Sequence, residues 1–341
     1  MERTSAVQLA VSSQSRLTDR GIGRGISAEG TNWLDMYDTQ NINSGRNHRG
    51  MTIFMARVGQ PAGVDFAEPL RDLAADAYKI SGRMCGACRD LHALWPYIRL
   101  SRASTGVEAP GSPLEVELHE LFAGGSRSVL IAGSQDAGLF ALVSRAAAGR
   151  DIEVSVLDIC ETPLELCRTL AEKWSLSIET IGQDLCELNR QRQFDVVLVH
   201  GTLHFIAADR RIHALTRIQQ ALRPGGRLVL LFNTSPPVGA AAKLATDYGT
   251  LVLAELKRLQ VPLPDTETVM LARLNAHQRR RELREGAFAH PEEMERLLEA
   301  AGLKLISCAR IDVNVAAPIG TLVTKLSKQR FLAVAEPKYG G

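Results

Sequence analysis

A glycine turn and an acidic residue are the features of this 341-residue chain that could hold a nucleotide-like ligand. The turn, Gly133-Ser134-Gln135-Asp136-Ala137-Gly138, follows one apolar run, and Asp158 ends the next. Small residues let the backbone come close to a ligand, and a carboxylate can accept hydrogen bonds from two ribose hydroxyls. This order of strand, turn, helix, strand and acid predicts a unit that holds an adenosine-like ligand at the carboxyl ends of parallel strands.

A second group of reactive residues lies upstream, where Cys85 and Cys88 are followed by His92. These three side chains are of the types that bind zinc. The neighbouring sequence offers no second Cys or His pair to complete a tetrahedral site, and small cysteines suit helix packing. We therefore expect no metal at this position.

The elements that must position these residues alternate between strand and helix from Ser126 onward. Phe194 to Val199 is a continuous apolar run, as expected of a strand buried on both faces. Such alternation predicts an α/β fold, a doubly wound sheet with helices on both faces. Two further helices and a proline turn in residues 234–290 predict an insertion that covers the active site. Arg279 to Arg281 in that insertion are expected to form a solvated helix face, with anionic-substrate binding as the alternative.

The chain divides into three predicted parts. Residues 1–50 are polar and lack apolar periodicity, which predicts a mobile tail, and Met51 or Met55 could be the true start. Residues 51–125 are predicted to form a helical segment over the substrate site. Residues 126–341 would form the ligand-binding domain.

Composition excludes several function classes. Hydrophobic residues make up 45% and charged residues 23% of the chain, so a packed core is expected. A net charge of +2 argues against a partner such as nucleic acid or a membrane surface. No apolar run is long enough for a membrane helix, and we find no secretory signal. The six cysteines have no disulfide-framework spacing, which favours the cytoplasm.

Residues from about Ser126 to Pro337 resemble the class I S-adenosylmethionine (SAM)-dependent methyltransferases. The resemblance lies in an ordered series of motifs: VLDICETPLELCR, GQDL, FDVVLVHGTLHFI, LRPGGRLVL and HPEEMERLLEAAGLKLI. It implies a Rossmann-like, mostly parallel seven-stranded sheet with an N-terminal helical extension, and SAM as the cofactor. It further implies that Asp158 holds the ribose and that Asp184 and Leu185 meet the adenine. The implied cofactor-binding residues are Gly133, Ser134, Gln135, Asp136, Gly138, Asp158, Ile159, Asp184, Leu185 and His200.

The glycine turn departs from the family pattern. Ile131 occupies the usual acid position, and Gln135 and Ala137 stand where further glycines are usual. We hypothesise that Asp136 replaces the missing acid and reaches the amino group of the ligand.

Catalytic residues are predicted from the same resemblance, which places the loop after the fourth strand near the methyl group. His204 and His200 in that loop are the candidate general bases, which are needed only if the acceptor must lose a proton. Packing or capping within the loop is the alternative for each histidine. Tyr97, Trp95 and Arg99 in the N-terminal helices could line the acceptor pocket, although Trp95 is the better candidate for core packing.

The favoured prediction is a SAM-dependent methyltransferase that acts on a small-molecule acceptor. A homodimer is left open. One alternative is a catalytically inactive SAM-binding partner or sensor protein, which the altered glycine turn would suit. Another is a nicotinamide-dependent oxidoreductase, against which the missing Gly-x-Gly-x-x-Gly motif argues.

Overall fold

The computed structural model describes residues 67–101, 110–234, 248–282, 288–311 and 329–338. The predicted tail of residues 1–50 and both alternative start positions lie outside the described residues. Within the described ranges, no helix is both long enough and apolar enough to cross a membrane.

A seven-stranded sheet forms the centre of the fold, with strand order β3-β2-β1-β4-β5-β7-β6. The five strands from β3 to β5 are parallel, whereas β7 runs antiparallel to both β5 and β6. This topology confirms the predicted doubly wound, mostly parallel sheet. The strands are β1 Ser128–Ala132, β2 Glu153–Asp158, β3 Glu179–Gly182, β4 Phe194–His200, β5 Leu222–Thr234, β6 Leu303–Ile311 and β7 Gln329–Pro337.

Nine α-helices occur among the described residues, and they flank or extend this sheet. Periodic apolar positions account for most of them, and Ser112 caps α3 by accepting a hydrogen bond from the Glu115 amide at 3.2 Å. The helices are α1 Ala67–Met84, α2 Arg89–Leu100, α3 Pro113–Ala123, α4 Gly138–Ala147, α5 Glu161–Lys173, α6 Arg211–Ala221, α7 Tyr248–Arg258, α8 Glu267–Glu282 and α9 Pro291–Ala300.

The central strands are buried on both faces, which explains their continuous apolar sequence. Successive residues of β1 contribute to opposite cores: Ile131 packs with α1, α3, α4 and α5, whereas Leu130 packs with α6 and α9. This two-residue alternation is the pleat of a strand covered by helices on both sides. The carboxyl ends of β1, β2 and β4 consequently reach the same edge of the sheet.

A third core joins the N-terminal helices to the insertion. Leu94, Tyr97 and Ile98 of α2 pack with residues of α7 and α8, including Tyr248 and Leu274. Arg273 of α8 adds polar contacts to both N-terminal helices, because it donates to Asp90 Oδ1 at 2.7 Å and to the hydroxyl of Tyr78. The predicted insertion thus supplies two helices that pack on α1 and α2. Arg279 is exposed on α8, and the side chains of Arg280 and Arg281 lie outside the described residues.

Candidate functional site

The conformation of the loop between β1 and α4 depends on its first glycine. Gly133 has φ +87°, a conformation that side chains disfavour. A Cβ atom at this position would overlap Oγ1 of Thr202 and lie 2.6 Å from its Cγ2. Thr202 is fixed in turn, because its hydroxyl donates to the Ala132 carbonyl at 2.7 Å. Glycine is therefore required here by the backbone and by the contact with the loop after β4.

Asp158 lies beside this loop, as predicted. Its Oδ2 accepts a hydrogen bond from the Ser134 amide at 2.8 Å, and its Oδ1 accepts one from the Cys160 amide at 2.7 Å. Burial raises the pKa of the carboxyl group, although these amide hydrogen bonds oppose the rise. The next side chain, Ile159, is 77% exposed at the same strand end. Asp158 therefore hydrogen-bonds to the loops that follow β1 and β2, and it lies next to the exposed apolar side chain of Ile159.

The carboxylate of Asp136 was expected to reach the amino group of a ligand, but the structure gives it other partners. Its carboxylate is buried, and Oδ2 accepts two hydrogen bonds from Arg99, from Nε at 3.0 Å and from Nη2 at 2.8 Å. Its Oδ1 accepts a third from the Gly138 amide at 2.8 Å. The carboxylate is therefore engaged by the protein itself. It fastens the glycine loop to α2 and to the first turn of α4.

Asp184 and Leu185 follow β3 at the same edge of the sheet. Asp184 caps a short 3-10 helix, since its Oδ1 accepts from the Cys186 amide at 2.9 Å, and its Oδ2 accepts from Arg210 Nη2 at 2.9 Å. The amide hydrogen bond, together with Arg210, lowers the pKa of this carboxyl group. Leu185 is buried in the core on the α6 side of the sheet. Both residues shape the turn that, by the family resemblance, would meet the adenine.

A small cleft opens between the glycine loop and the end of β4. It is lined by Ser134, Gln135, Asp136, Leu139 and His200. Its free volume is far below the roughly 300–1,000 Å³ of typical ligand pockets. Most of a nucleoside would therefore lie along the exposed strand ends.

The two candidate bases occupy different environments. His200 lines the cleft, and burial, assisted by the charge of Arg330 and by His204, lowers its pKa to about 3. It is therefore neutral at physiological pH and only weakly basic. His204 instead accepts a hydrogen bond at Nε2 from the Asn233 amide at 3.1 Å and packs against the ring of Phe288. This nitrogen connects the loop after β4 to β5 and is not presented to the cleft.

The three candidate acceptor-pocket residues of α2 have structural partners. Trp95 and Tyr97 are buried, and Tyr97 belongs to the core shared with α7 and α8. Arg99 pairs with Asp136. The structure thus supports the core-packing interpretation of Trp95 and extends it to Tyr97.

The sequence near Cys85, Cys88 and His92 offers no fourth metal ligand, but the fold brings one to them. Cys160, which precedes α5, lies beside Cys85, Cys88 and His92, and the four potential ligand atoms are within 4.8 Å of one another. Burial opposes ionisation of Cys160, but hydrogen bonds from His92 and from the Thr162 amide outweigh it and lower its pKa to about 6. The fourth side chain comes from a strand end that is distant in sequence.

Comparison with known protein families identifies a domain in the central part of this chain. Residues 130–226 match the family described as methyltransferase domain. This segment is a class I SAM-dependent methyltransferase domain. SAM is the methyl donor typical of the family, and the segment contains the glycine loop, Asp158, Asp184 and both histidines.

Two curated relatives each match 27% of this chain. A carboxy-S-adenosyl-L-methionine synthase of Ectopseudomonas mendocina is 46% identical over 103 residues, which are 27% of this chain and 41% of that protein. A synthase of the same name from Pseudomonas aeruginosa is 34% identical over 103 residues, 27% of this chain and 42% of its own length. The chain thus spans less than half the length of the curated relatives it matches.

Among solved structures, a 1,6-didemethyltoxoflavin-N1-methyltransferase of Burkholderia thailandensis is similar at 18% identity and a TM-score of 0.45. The match covers 85% of this chain and 95% of that chain.

Three features of the methyltransferase domain were missed from the sequence. Thr202 looks like an ordinary loop residue until its contact with Gly133 is seen. The partnership of Arg99 with Asp136 spans 37 positions, and that of Cys160 with Cys88 spans 72. The sequence did hold one signal for the contact of Cys160, because Cys160 lies two residues after the strand-ending Asp158 and therefore near the carboxyl ends of the parallel strands.

Proposed function

We propose that this chain binds SAM at the carboxyl ends of β1, β2 and β3 and transfers its methyl group to a small-molecule acceptor. The observation that carries the proposal is the position of Asp158. This carboxylate ends β2, faces the glycine loop through the Ser134 amide and adjoins the exposed side chain of Ile159. In such a site the acid would bind the ribose hydroxyls and Ile159 would pack on the adenine.

The remaining predicted contacts fit the same orientation of the ligand. The turn at Asp184 and Leu185 follows β3, which is the neighbour of β2 in the sheet. The cleft lined by Gln135 and His200 lies on the other side, next to β4. SAM would then extend across the strand ends, with its sulfonium end near the cleft.

The helices outside the central domain would enclose the acceptor. Helices α1 and α2 and the insertion helices α7 and α8 share one core, and α2 contacts the glycine loop through the pair Arg99–Asp136. Exclusion of water and alignment of the acceptor with the sulfonium methyl group are the main tasks of a methyltransferase protein.

The histidine geometry favours an acceptor that is nucleophilic without help from a strong base. His200 is neutral but weakly basic, and Nε2 of His204 already accepts the Asn233 amide. An amine, or a group that ionises by itself, meets this condition, because the protein then needs only to position it.

The ribose-binding role of Asp158 gives a direct test. The variant Asp158→Ala should bind S-adenosylhomocysteine (SAH) at least about tenfold more weakly in isothermal titration calorimetry, since hydrogen bonds to a charged group contribute about 1.5–3 kcal/mol each. The variant Glu153→Gln, at the exposed start of the same strand, is the matched control and should bind normally. Equal affinity of the wild type and Asp158→Ala, with both folded by circular dichroism, would refute the proposed site.

A second candidate function is SAM binding without catalysis, in a partner or sensor protein. The engagement of Asp136 and His204 by the protein favours it, because hydrogen bonds within the protein already occupy the Asp136 carboxylate and Nε2 of His204. Incubation with SAM and a panel of amine, thiol and phenol acceptors, followed by mass spectrometry, separates the candidates. A methylated acceptor together with SAH supports methyl transfer, whereas tight SAH binding without turnover supports the second candidate. A modified SAM would instead indicate chemistry like that named for the carboxy-SAM synthases.

A further inference from the structure

We propose that Cys85, Cys88, His92 and Cys160 bind one zinc ion, which fastens the N-terminal helices to the loops of the SAM site. The four residues come from three parts of the fold. Cys85 and Cys88 lie in the turn between α1 and α2, His92 is one helical turn into α2, and Cys160 immediately precedes α5. The site is distinct from the cleft lined by His200.

The distances among the sulfur atoms fit a tetrahedral ion. Sγ of Cys160 lies 3.5 Å from Sγ of Cys85 and 3.6 Å from Sγ of Cys88. A tetrahedral zinc with Zn–S bonds of about 2.3 Å holds two sulfurs roughly 3.8 Å apart. All four ligand atoms already lie within 4.8 Å of one another, so small side-chain rotations would complete the coordination shell.

The orientation of His92 is the second observation that points to a metal. Its Nδ1 lies 2.8 Å from the Gln135 carbonyl oxygen, to which it donates when this nitrogen carries the proton. That tautomer leaves the lone pair on Nε2 for a metal ion, and the His92 ring also contacts the side chain of Cys160. Metal-binding histidines are characteristically held in this way by a carbonyl or a carboxylate. The ring is buried, so an oriented imidazole is built into the packing.

Further contacts would stabilise thiolates at two of the three cysteines. The hydroxyl of Thr162, a buried residue, lies 2.9 Å from Sγ of Cys85 and can donate to it. Cys160 is the residue before the first turn of α5, where backbone amides and the helix dipole stabilise negative charge. The set of three sulfurs and one imidazole nitrogen, with a Cys-x-x-Cys pair, matches a structural zinc site.

The site has a consequence for the cofactor, and this part rests on the proposed function. Gln135 accepts from His92 and lies in the glycine loop, and the amide of Cys160 donates to Asp158. A metal at this point would therefore hold the Gln135 carbonyl and the Asp158 carboxylate in place before SAM arrives. Its loss should weaken SAH binding without removing any residue that contacts SAH.

The test uses the full chain, purified under reducing conditions and reconstituted with zinc or cobalt. Mass-spectrometric metal analysis should find one zinc per chain after extensive dialysis. The cobalt form should show the visible bands of a tetrahedral ion and a near-ultraviolet thiolate-to-cobalt band. The variants Cys88→Ser and Cys160→Ser should lose stoichiometric metal, and Thr162→Val should weaken its binding by about tenfold. Cys308→Ser, at a half-buried thiol of β6, is the matched control and should retain one metal ion.

Several outcomes would overturn the proposal. These are a wild-type chain that takes up no stoichiometric zinc, a cobalt form without the thiolate band, or iron with acid-labile sulfide in place of zinc. The cobalt spectrum of the wild type keeps the test decisive even if a ligand variant fails to fold. Normal SAH binding by a chain that takes up no zinc would refute the zinc site but would still agree with the proposed function. A zinc-loaded chain that does not bind SAH would do the reverse.

Discussion

Gly133 is constrained twice, by its own backbone and by Thr202, and these constraints can be separated experimentally. Gly149 also has a positive φ, +78°, but an added Cβ there would meet nothing within 4 Å. The variant Gly149→Ala should therefore reduce the free energy of unfolding by only the conformational cost, about 1–2 kcal/mol. Gly133→Ala should cost roughly 1–3 kcal/mol more, because the new methyl group overlaps Thr202. Urea unfolding of the two variants measures the difference, and equal losses would show that the contact with Thr202 does not matter.

His200 gives the protein a predictable sensitivity to acid. Its pKa is lowered to about 3 from an ordinary value of 6.5, so the folded state holds the ring neutral where the unfolded state would protonate it. The stability that this group contributes is full above pH 6.5 and is lost as the pH falls toward 3. The variant His200→Asn should flatten the fall of the melting temperature across this window.

His213→Asn is the control for that experiment, because His213 is exposed on α6. This variant should keep the acid sensitivity of the wild type. If His200→Asn loses stability with acid as steeply as the wild type does, His200 is not the source of the effect.

Local sequence was sufficient for some site residues and insufficient for others. Asp158 could be placed because its position depends only on a strand followed by a turn. Asp136 could not be interpreted, because its role depends on a cation from α2, and Cys160 acquires its neighbours only when α1 and α5 pack together. Residues whose partners are local in sequence were therefore predictable, and those whose partners come from another element were not.

At the scale of elements, α2 is tied to the glycine loop by a buried ion pair. Exposure of the Arg99 and Asp136 side chains is only 13% and 4%. The variant Arg99→Met should therefore destabilise the fold by about 3–5 kcal/mol, since it leaves a buried carboxylate without its cation. Thermal and urea unfolding give the measurement.

Arg168→Met is the matched variant at an exposed site. Arg168 pairs with Glu161 and Glu165 on α5, where 34% to 48% of each side chain is exposed. It should cost about 0–1 kcal/mol. Similar losses of unfolding free energy in both variants would mean that the buried pair of Arg99 with Asp136 stabilises the fold no more than an exposed ion pair does.

The central strands were the most predictable elements, because burial on both faces leaves continuous apolar runs such as β1 and β4 in the sequence. Pairing was less evident: the antiparallel insertion of β7 between β5 and β6 depends on contacts that no local pattern records. The insertion helices α7 and α8 could be expected, but their packing against α2 could not, because an apolar helix face does not specify its partner.

At the scale of the whole molecule, the glycine loop connects elements that contribute to all three cores. The loop follows β1, contacts the end of β4 through Thr202 and is bound to α2 through Gln135–His92 and Asp136–Arg99. Helix α2 in turn packs with α7 and α8. A ligand that orders the loop should therefore stabilise helices that it does not contact.

Hydrogen–deuterium exchange of the full chain with and without SAH tests this coupling. SAH should slow amide exchange in residues 133–139 and also in the α2 peptide 89–100, because opening of α2 then requires the loop contacts to break. The segment 291–311, which contains α9 and β6, packs mainly in the core on the other face of the sheet from α1 and α4 and serves as the internal control. Protection confined to the loop would show that α2 opens independently of it. In the Arg99→Met variant, a surviving SAH effect on α2 would assign the coupling to His92 and Gln135.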